Sequence, residues 1–135
     1  MGVDFVGEIN EEKSWLEKAV RDYKVALLIL DKHECFTDLI CFHAQQAAEK
    51  ALKGIAAYKG KEYGRTHYTD VAILKNDTLE DNELNQLRKR GEKLEKYINS
   101  RYPDSEIPFP TPDETREALG IAEEILRYVK KYLDM

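Results

Sequence analysis

All four prolines of this 135-residue chain, Pro103, Pro108, Pro110 and Pro112, fall in one window, residues 103–112. Inside a helix, proline removes a hydrogen bond and clashes with the preceding turn. Its confinement leaves long stretches on either side free to be helical, and the apolar residues use that freedom. They recur at intervals of three and four, with no convincing period-two strand pattern.

Ser14-Trp15-Leu16-Glu17 has the form of a capping box and predicts a helix to about Asp31. Its inward stripe is Trp15, Ala19, Tyr23, Ala26, Leu27 and Leu30. A second helix is expected over about Cys35–Lys59, closed by Gly60 and Gly64. A short third begins near Thr66 and turns Val71 and Leu74 inward. A fourth begins at Thr78-Leu79-Glu80-Asp81 and turns Leu84, Leu87, Gly91, Leu94 and Ile98 inward. The last opens at Thr111-Pro112-Asp113-Glu114, with Thr as cap, Pro at the first helical position and Glu at the third. It buries Ala118, Ile121, Ala122, Ile125, Val129 and Tyr132. The proline-rich crossover before it should be stiff, with Tyr102, Ile107 and Phe109 covering the bundle end. The fold class expected is all-α: an up-and-down bundle of about five helices. It forms one domain over residues 14–135 after an N-terminal extension, 1–13.

Charge and cysteine usage narrow the function. A formal net charge of −5 excludes a whole-domain basic footprint for nucleic acid. Only a local stretch remains, Arg88, Lys89, Arg90, Lys93, Lys96 and Arg101. It reads as a solvated outer face or a salt-sensitive phosphate patch, so RNA contact is not favoured. No run approaches the ~18–20 apolar residues of a membrane span. The start lacks a basic region and apolar core of the signal-peptide kind. Cys35 and Cys41 would project roughly 120° apart around one helix, a poor geometry for a bridge. They read as reduced thiols, and the chain as cytoplasmic.

Chemistry-bearing motifs are sparse. The sequence holds no Gly-rich phosphate loop, no Ser-His-Asp arrangement and no paired-carboxylate constellation. His67 has no partner at metal-ligand spacing and reads as a capping or packing residue, and His43 falls on an apolar side and reads as a satisfied core residue. No catalytic or metal-binding residue is assigned. The informative segment is Phe42-His43-Ala44-Gln45-Gln46-Ala47-Ala48-Glu49-Lys50-Ala51-Leu52-Lys53-Gly54. Phe36, Ile40, His43, Ala47, Ala51 and Gly54 share one side, and Gln45, Gln46, Glu49 and Lys53 the opposite one. The polar side is either an ordinary solvated face or a strip offering amides, a carboxylate and an ammonium to a ligand or subunit.

The run Ala44 to Lys53, then Arg65-Thr66-His67, then Arg101-Tyr102-Pro103-Asp104, resembles the HEPN domain (higher eukaryotes and prokaryotes nucleotide-binding) in order and spacing. The likeness spans about Trp15 to Leu133. It implies a bundle of about five helices, usually homodimeric, often associated with minimal nucleotidyltransferases. Family roles range over nucleotide binding, toxin–antitoxin pairs and RNA cleavage. Cleaving branches carry an Arg followed four to six residues later by His, and no Arg precedes His33, His43 or His67 by that interval. The usual general acid/base for phosphodiester chemistry is therefore missing. The reading leans away from an enzyme and toward a dimeric binding module without a resident cofactor. It would take a nucleotide such as ATP or GTP, partner a minimal nucleotidyltransferase, or both. A ribonuclease toxin with a non-standard site and a purely architectural dimer stay open beside it. The candidate ligand contacts are Gln46, Glu49, Lys53, Arg65, His67, Arg101 and Tyr102. The heptad-like stripe of helix four and the Ala-rich second helix are the faces expected to pair two copies.

Overall fold

Helix is the outcome across the computed structural model, which describes residues 11–60, 82–100, 102–104, 106 and 108–134. Among these residues the regular elements are α1 (Glu11–Lys32), α2 (Thr37–Tyr58), α3 (Asn82–Glu92), a 3-10 turn (Glu95–Tyr97) and α4 (Pro112–Leu133). The all-α expectation holds. The short helix expected near Thr66, the start at Thr78, the glycine Gly64 and Ile107 lie outside the described residues.

Individual contacts set the topology. Lys53 sits over the Trp15 ring and Lys50 reaches Asp22, so α1 and α2 run antiparallel. Cys41 meets Thr115 and Tyr58 meets Tyr132, so α4 runs parallel to α2. Arg90 reaches Glu124 and Lys96 approaches Glu114, so α3 and its following turn oppose α4. The described helices thus alternate up, down, up, down. One pole gathers the α1–α2 turn, the crossover and the start of α4. The other gathers the start of α1 and the ends of α2 and α4.

Several boundaries differ from expectation, each for a physical reason. α1 is already helical at Glu11, so Ser14 lies inside it and is not its cap. Glu11 and Glu12 in its first turn and Lys32 in its last oppose the helix dipole instead. Leu27 and Leu30 are exposed rather than inward, because α1 is peripheral and only the narrow strip around Ala19 and Ala26 is fully covered. α2 starts at Thr37, which leaves Cys35 in the preceding turn. It ends where Gly60 takes a left-handed φ of 71° and its N–H donates to the Ala57 carbonyl. The helical stripe that runs to Ile98 in the sequence is not one helix: α3 stops at Glu92, just past Gly91. Glycine costs a helix about 1 kcal/mol relative to Ala. Beyond it the Lys93 and Leu94 N–H groups donate to carbonyls three residues back. The tighter turn still buries Leu94, Tyr97 and Ile98.

The start of α4 is as the sequence indicated. The Thr111 hydroxyl accepts from the Glu114 N–H at 3.1 Å, and Glu114 Oε1 accepts from the Thr111 N–H at 2.9 Å. Pro112 occupies the first turn. Ala118, Ile121, Ala122, Ile125 and Val129 are buried, and Tyr132 is half-buried. The crossover aromatics do not cap the bundle: Tyr102 is 49% and Phe109 78% exposed. Pro110 turns in, and the ring beside it is left outside.

α2 is the central helix, packed by α1, α4, α3 and the 3-10 turn. Its small residues allow the close approach. A Cβ added at Gly54 would stand 3.1 Å from the Glu12 carbonyl oxygen and 3.6 Å from both Trp15 Cβ and Leu133 Cδ1.

Candidate functional site

The central position of α2 decides the fate of its polar row. In place of a solvated or ligand-presenting face, Gln45, Gln46, Glu49 and Lys53 form a buried one. Glu49 and Lys53 are each at 3% exposure, because this helix is enclosed by its neighbours. Spacings of four residues join Gln45 to Glu49 and Glu49 to Lys53 along the helix, and Gln46 joins the row through its neighbour Gln45. Gln46 Nε2 donates to Gln45 Oε1 at 2.7 Å, and Gln45 Nε2 donates to Glu49 Oε1 at 3.2 Å. Lys53 Nζ donates to Glu49 Oε2 at 3.1 Å and lies 5.3 Å from the Trp15 ring centroid. Each donor in this relay points toward the single carboxylate. A buried charge survives only when it is paired and hydrogen-bonded, and Glu49 meets both conditions inside the row.

A second polar cluster ties α1 to α2. Asp22 Oδ1 lies 3.1 Å from His43 Nδ1, and Asp22 Oδ2 accepts from Lys50 Nζ at 2.6 Å. Burial pushes the Asp22 carboxyl up, but the hydrogen bonds and charges of His43 and Lys50 outweigh it, and the net direction is down. His43 is thus a satisfied histidine, held by a carboxylate, but half-buried rather than enclosed in the core. Asp22 and Lys50 do not stand out in the sequence because their meeting depends on the pairing of two helices. His43 and Lys50, seven apart on one helical face, are the only hint.

The basic stretch of the fourth helix is dispersed. Arg88 turns inward at 5% exposure, donating to Glu92 at 2.8 Å and to Asn85 at 2.8 Å, with no hydrogen-bond partner for its Nε among the described residues. Arg90 donates to Glu124 at 2.7 Å. Lys89, Lys93 and Lys96 remain outside, as their position opposite the leucine stripe implied. The stripe itself, Leu84, Leu87, Leu94 and Ile98, is consumed in the core, as are Ala44, Ala47, Ala48 and Ala51 of α2. Neither face is left for pairing two copies.

Of the sequence-predicted ligand contacts, Gln46, Glu49 and Lys53 stand together in the buried row, and Tyr102 stands on the crossover. Arg65, His67 and Arg101 lie outside the described residues. Among the described residues no three His, Cys, Asp or Glu side chains group as metal ligands, and no helix is long and apolar enough to cross a membrane. Among the described residues the open surface carries several hollows, two of them over 500 Å³. One, of about 520 Å³, runs between α3 and α4 and is lined by Glu83, Leu87, Glu124, Arg127, Tyr128, Lys131 and Tyr132. The other, of about 560 Å³, lies at the crossover pole beside Phe109 and Cys35. Around α1, Val25, Leu27, Leu28 and Leu30 are all exposed, Leu28 the most at 59%.

With this geometry in view, the comparisons with known proteins fall into one group. The family model for the HEPN domain matches residues 12–132. The crystal structure of TT1696 from Thermus thermophilus is 33% identical, with a TM-score of 0.67 over 91% of this chain and 98% of that one. ST0689, described as an archaeal HEPN homologue, is 30% identical, with a TM-score of 0.67 over 90% and 97% of the two chains. A HEPN domain protein from Thermotoga maritima, tm0613, shares the fold at 23% identity, with a TM-score of 0.65 over 90% and 98%. No curated protein matches.

Proposed function

Because this chain belongs to the HEPN domain family, we propose that it is a dimeric, non-catalytic binding module that docks a protein of the minimal nucleotidyltransferase class. The observation that supports this reading is an inversion of polarity between α2 and α1. The polar residues that could serve a ligand, Gln45, Gln46, Glu49 and Lys53, are buried and hydrogen-bonded to one another. Apolar side chains meanwhile stand outside: Val25, Leu27, Leu28 and Leu30 on α1. Scattered exposed leucines are ordinary, but four apolar side chains within six residues of one helix suit a protein surface better than water. A nucleotide would have to displace the Glu49–Lys53 pair to use the row, so ATP or GTP alone should bind no tighter than roughly millimolar. A ribonuclease reading gains nothing from His43, which is tied to Asp22.

Titration calorimetry with minimal nucleotidyltransferases from the same source tests the docking. Binding at micromolar or tighter dissociation constants, lost in Leu28→Asp with helicity retained, is the expected result. Heat from ATP or GTP at micromolar concentration, or Leu28→Asp binding the partner like wild type, would overturn it.

A further inference from the structure

We infer that the outer face of α1 is a docking strip for an acidic, amphipathic helix of a partner protein. This inference rests on the docking reading above and names the chemistry of the segment that docks. At about 100° per residue, Lys18, Arg21, Lys24, Val25, Leu28 and Lys32 share one side of α1, opposite the buried Ala19 and Ala26. Every one of them is exposed. Two apolar side chains thus sit inside a frame of cations. Among the described residues no carboxylate forms an ion pair with Lys18, Arg21 or Lys24, and Lys32 has only a loose, exposed one with Asp31 at 3.5 Å. Glu17 and Asp31 are the acids on this side, so the strip is basic on a chain whose net charge is −5.

The shape of the strip selects a helix. From Lys18 to Lys32 it is unbroken helix of about four turns, roughly 21 Å long. A straight ridge of this kind is matched by a second helix laid along it, whose apolar residues at spacings of three and four close over Val25 and Leu28. α1 packs on α2 and α4, and a docked helix would enclose it as its neighbours enclose α2. The two parts of the strip have different work. Removing Val25 and Leu28 from water supplies the attraction. Charges at the rim of such a contact add less affinity, but they steer the approach, fix the register and reject a basic segment. A nucleic-acid backbone would use the cations and gain nothing from Val25 and Leu28.

The test sets the full chain against two labelled synthetic helices of about 18 residues. Both carry the same leucines at helical spacing, one flanked by Glu and the other by Lys. Fluorescence anisotropy should show the Glu peptide binding tighter by about tenfold or more, against the acidic net charge of the chain. The combined change Lys18→Glu, Arg21→Glu and Lys24→Glu should invert that preference, with unchanged helical circular dichroism. It should also weaken docking of a minimal nucleotidyltransferase by about tenfold or more. Equal binding of the two peptides, binding of neither, or a preference that the charge reversal leaves in place overturns the inference. So does a single-stranded RNA oligonucleotide that displaces the Glu peptide from the strip. A nucleotidyltransferase that binds the reversed variant like wild type overturns the inference and leaves the docking reading standing. A Glu-peptide preference that inverts on reversal, with no nucleotidyltransferase bound, supports the strip and overturns the docking reading alone.

Discussion

Lys53 Nζ lies 3.1 Å from Glu49 Oε2, one turn along α2, with the two side chains only 4% and 3% exposed. Removing the ammonium takes a charge-assisted donor away from a carboxylate buried in the core. Lys53→Ala should therefore cost about 3–5 kcal/mol. The paired change Glu49→Gln with Lys53→Met keeps an acceptor for Gln45 and removes both charges, so it should stay within about 1 kcal/mol of wild type. Urea unfolding of the three proteins decides the matter. A Lys53→Ala midpoint equal to that of wild type would show that the pair does not hold the row together.

Asp22 gives the fold a predictable acid sensitivity. Its carboxyl titrates below the ordinary value of 3.8, since His43 and Lys50 favour the charged form more than burial disfavours it. A depressed folded-state value contributes stability that is present above the unfolded value and lost as the pH falls through the folded one. Asp22→Asn should be less stable than wild type by about 1–2 kcal/mol at neutral pH. The gap should narrow as the pH drops below about 4. Melting temperatures of both proteins between neutral and strongly acidic pH measure this, and a gap that stays constant would count against it.

Gly54 marks where α1 comes closest to α2. In Gly54→Ala the new Cβ meets the Glu12 carbonyl at 3.1 Å. The gain in helix propensity, about 1 kcal/mol, opposes that crowding, and the two should nearly cancel. Gly54→Val adds methyl groups where Trp15 and Leu133 already stand and should cost about 1–3 kcal/mol. Thermal unfolding of the two variants should separate them clearly. Equal melting temperatures would mean that α1 yields freely.

The two thiols should react at very different rates. Burial pushes the Cys41 thiol up to about 11, against the weaker opposing effect of its Thr115 contact, whereas Cys35 is exposed in the turn before α2. The thiolate is the reactive form. Titration with a thiol reagent at about pH 8, near the ordinary thiol value, should show one fast group per native chain, lost in Cys35→Ser, and two after denaturation. Two fast groups in the native protein would contradict the burial of Cys41.

What the sequence reveals in advance follows the range of the interactions involved. The start of α4 is legible because Thr111, Pro112 and Glu114 satisfy one another within four residues. The inward positions Leu84, Leu87, Gly91, Leu94 and Ile98 are legible because burial follows helical phase, even where the helix itself gives way to a 3-10 turn. The polar row is not. Residue phase places Gln45, Gln46, Glu49 and Lys53 on one side of α2, but only the packing of other helices decides whether a side meets water. Phe109 escapes for the opposite reason: an apolar ring in a proline-rich segment looks like a lid until neighbouring Pro110 takes the inward place.

The close approach at Gly54 also bears on how the chain can be rewired. The first turn of α1 and the last turn of α4 both reach this one residue, through the Glu12 carbonyl and the Leu133 side chain. The outermost helices therefore begin and finish side by side, and a short peptide could splice them into a ring. New ends could then be cut into the turn between Lys32 and Thr37, at the far pole, without severing any helix. A circular permutant of this kind would keep every helix pairing while trading the order in which those pairings can form during synthesis.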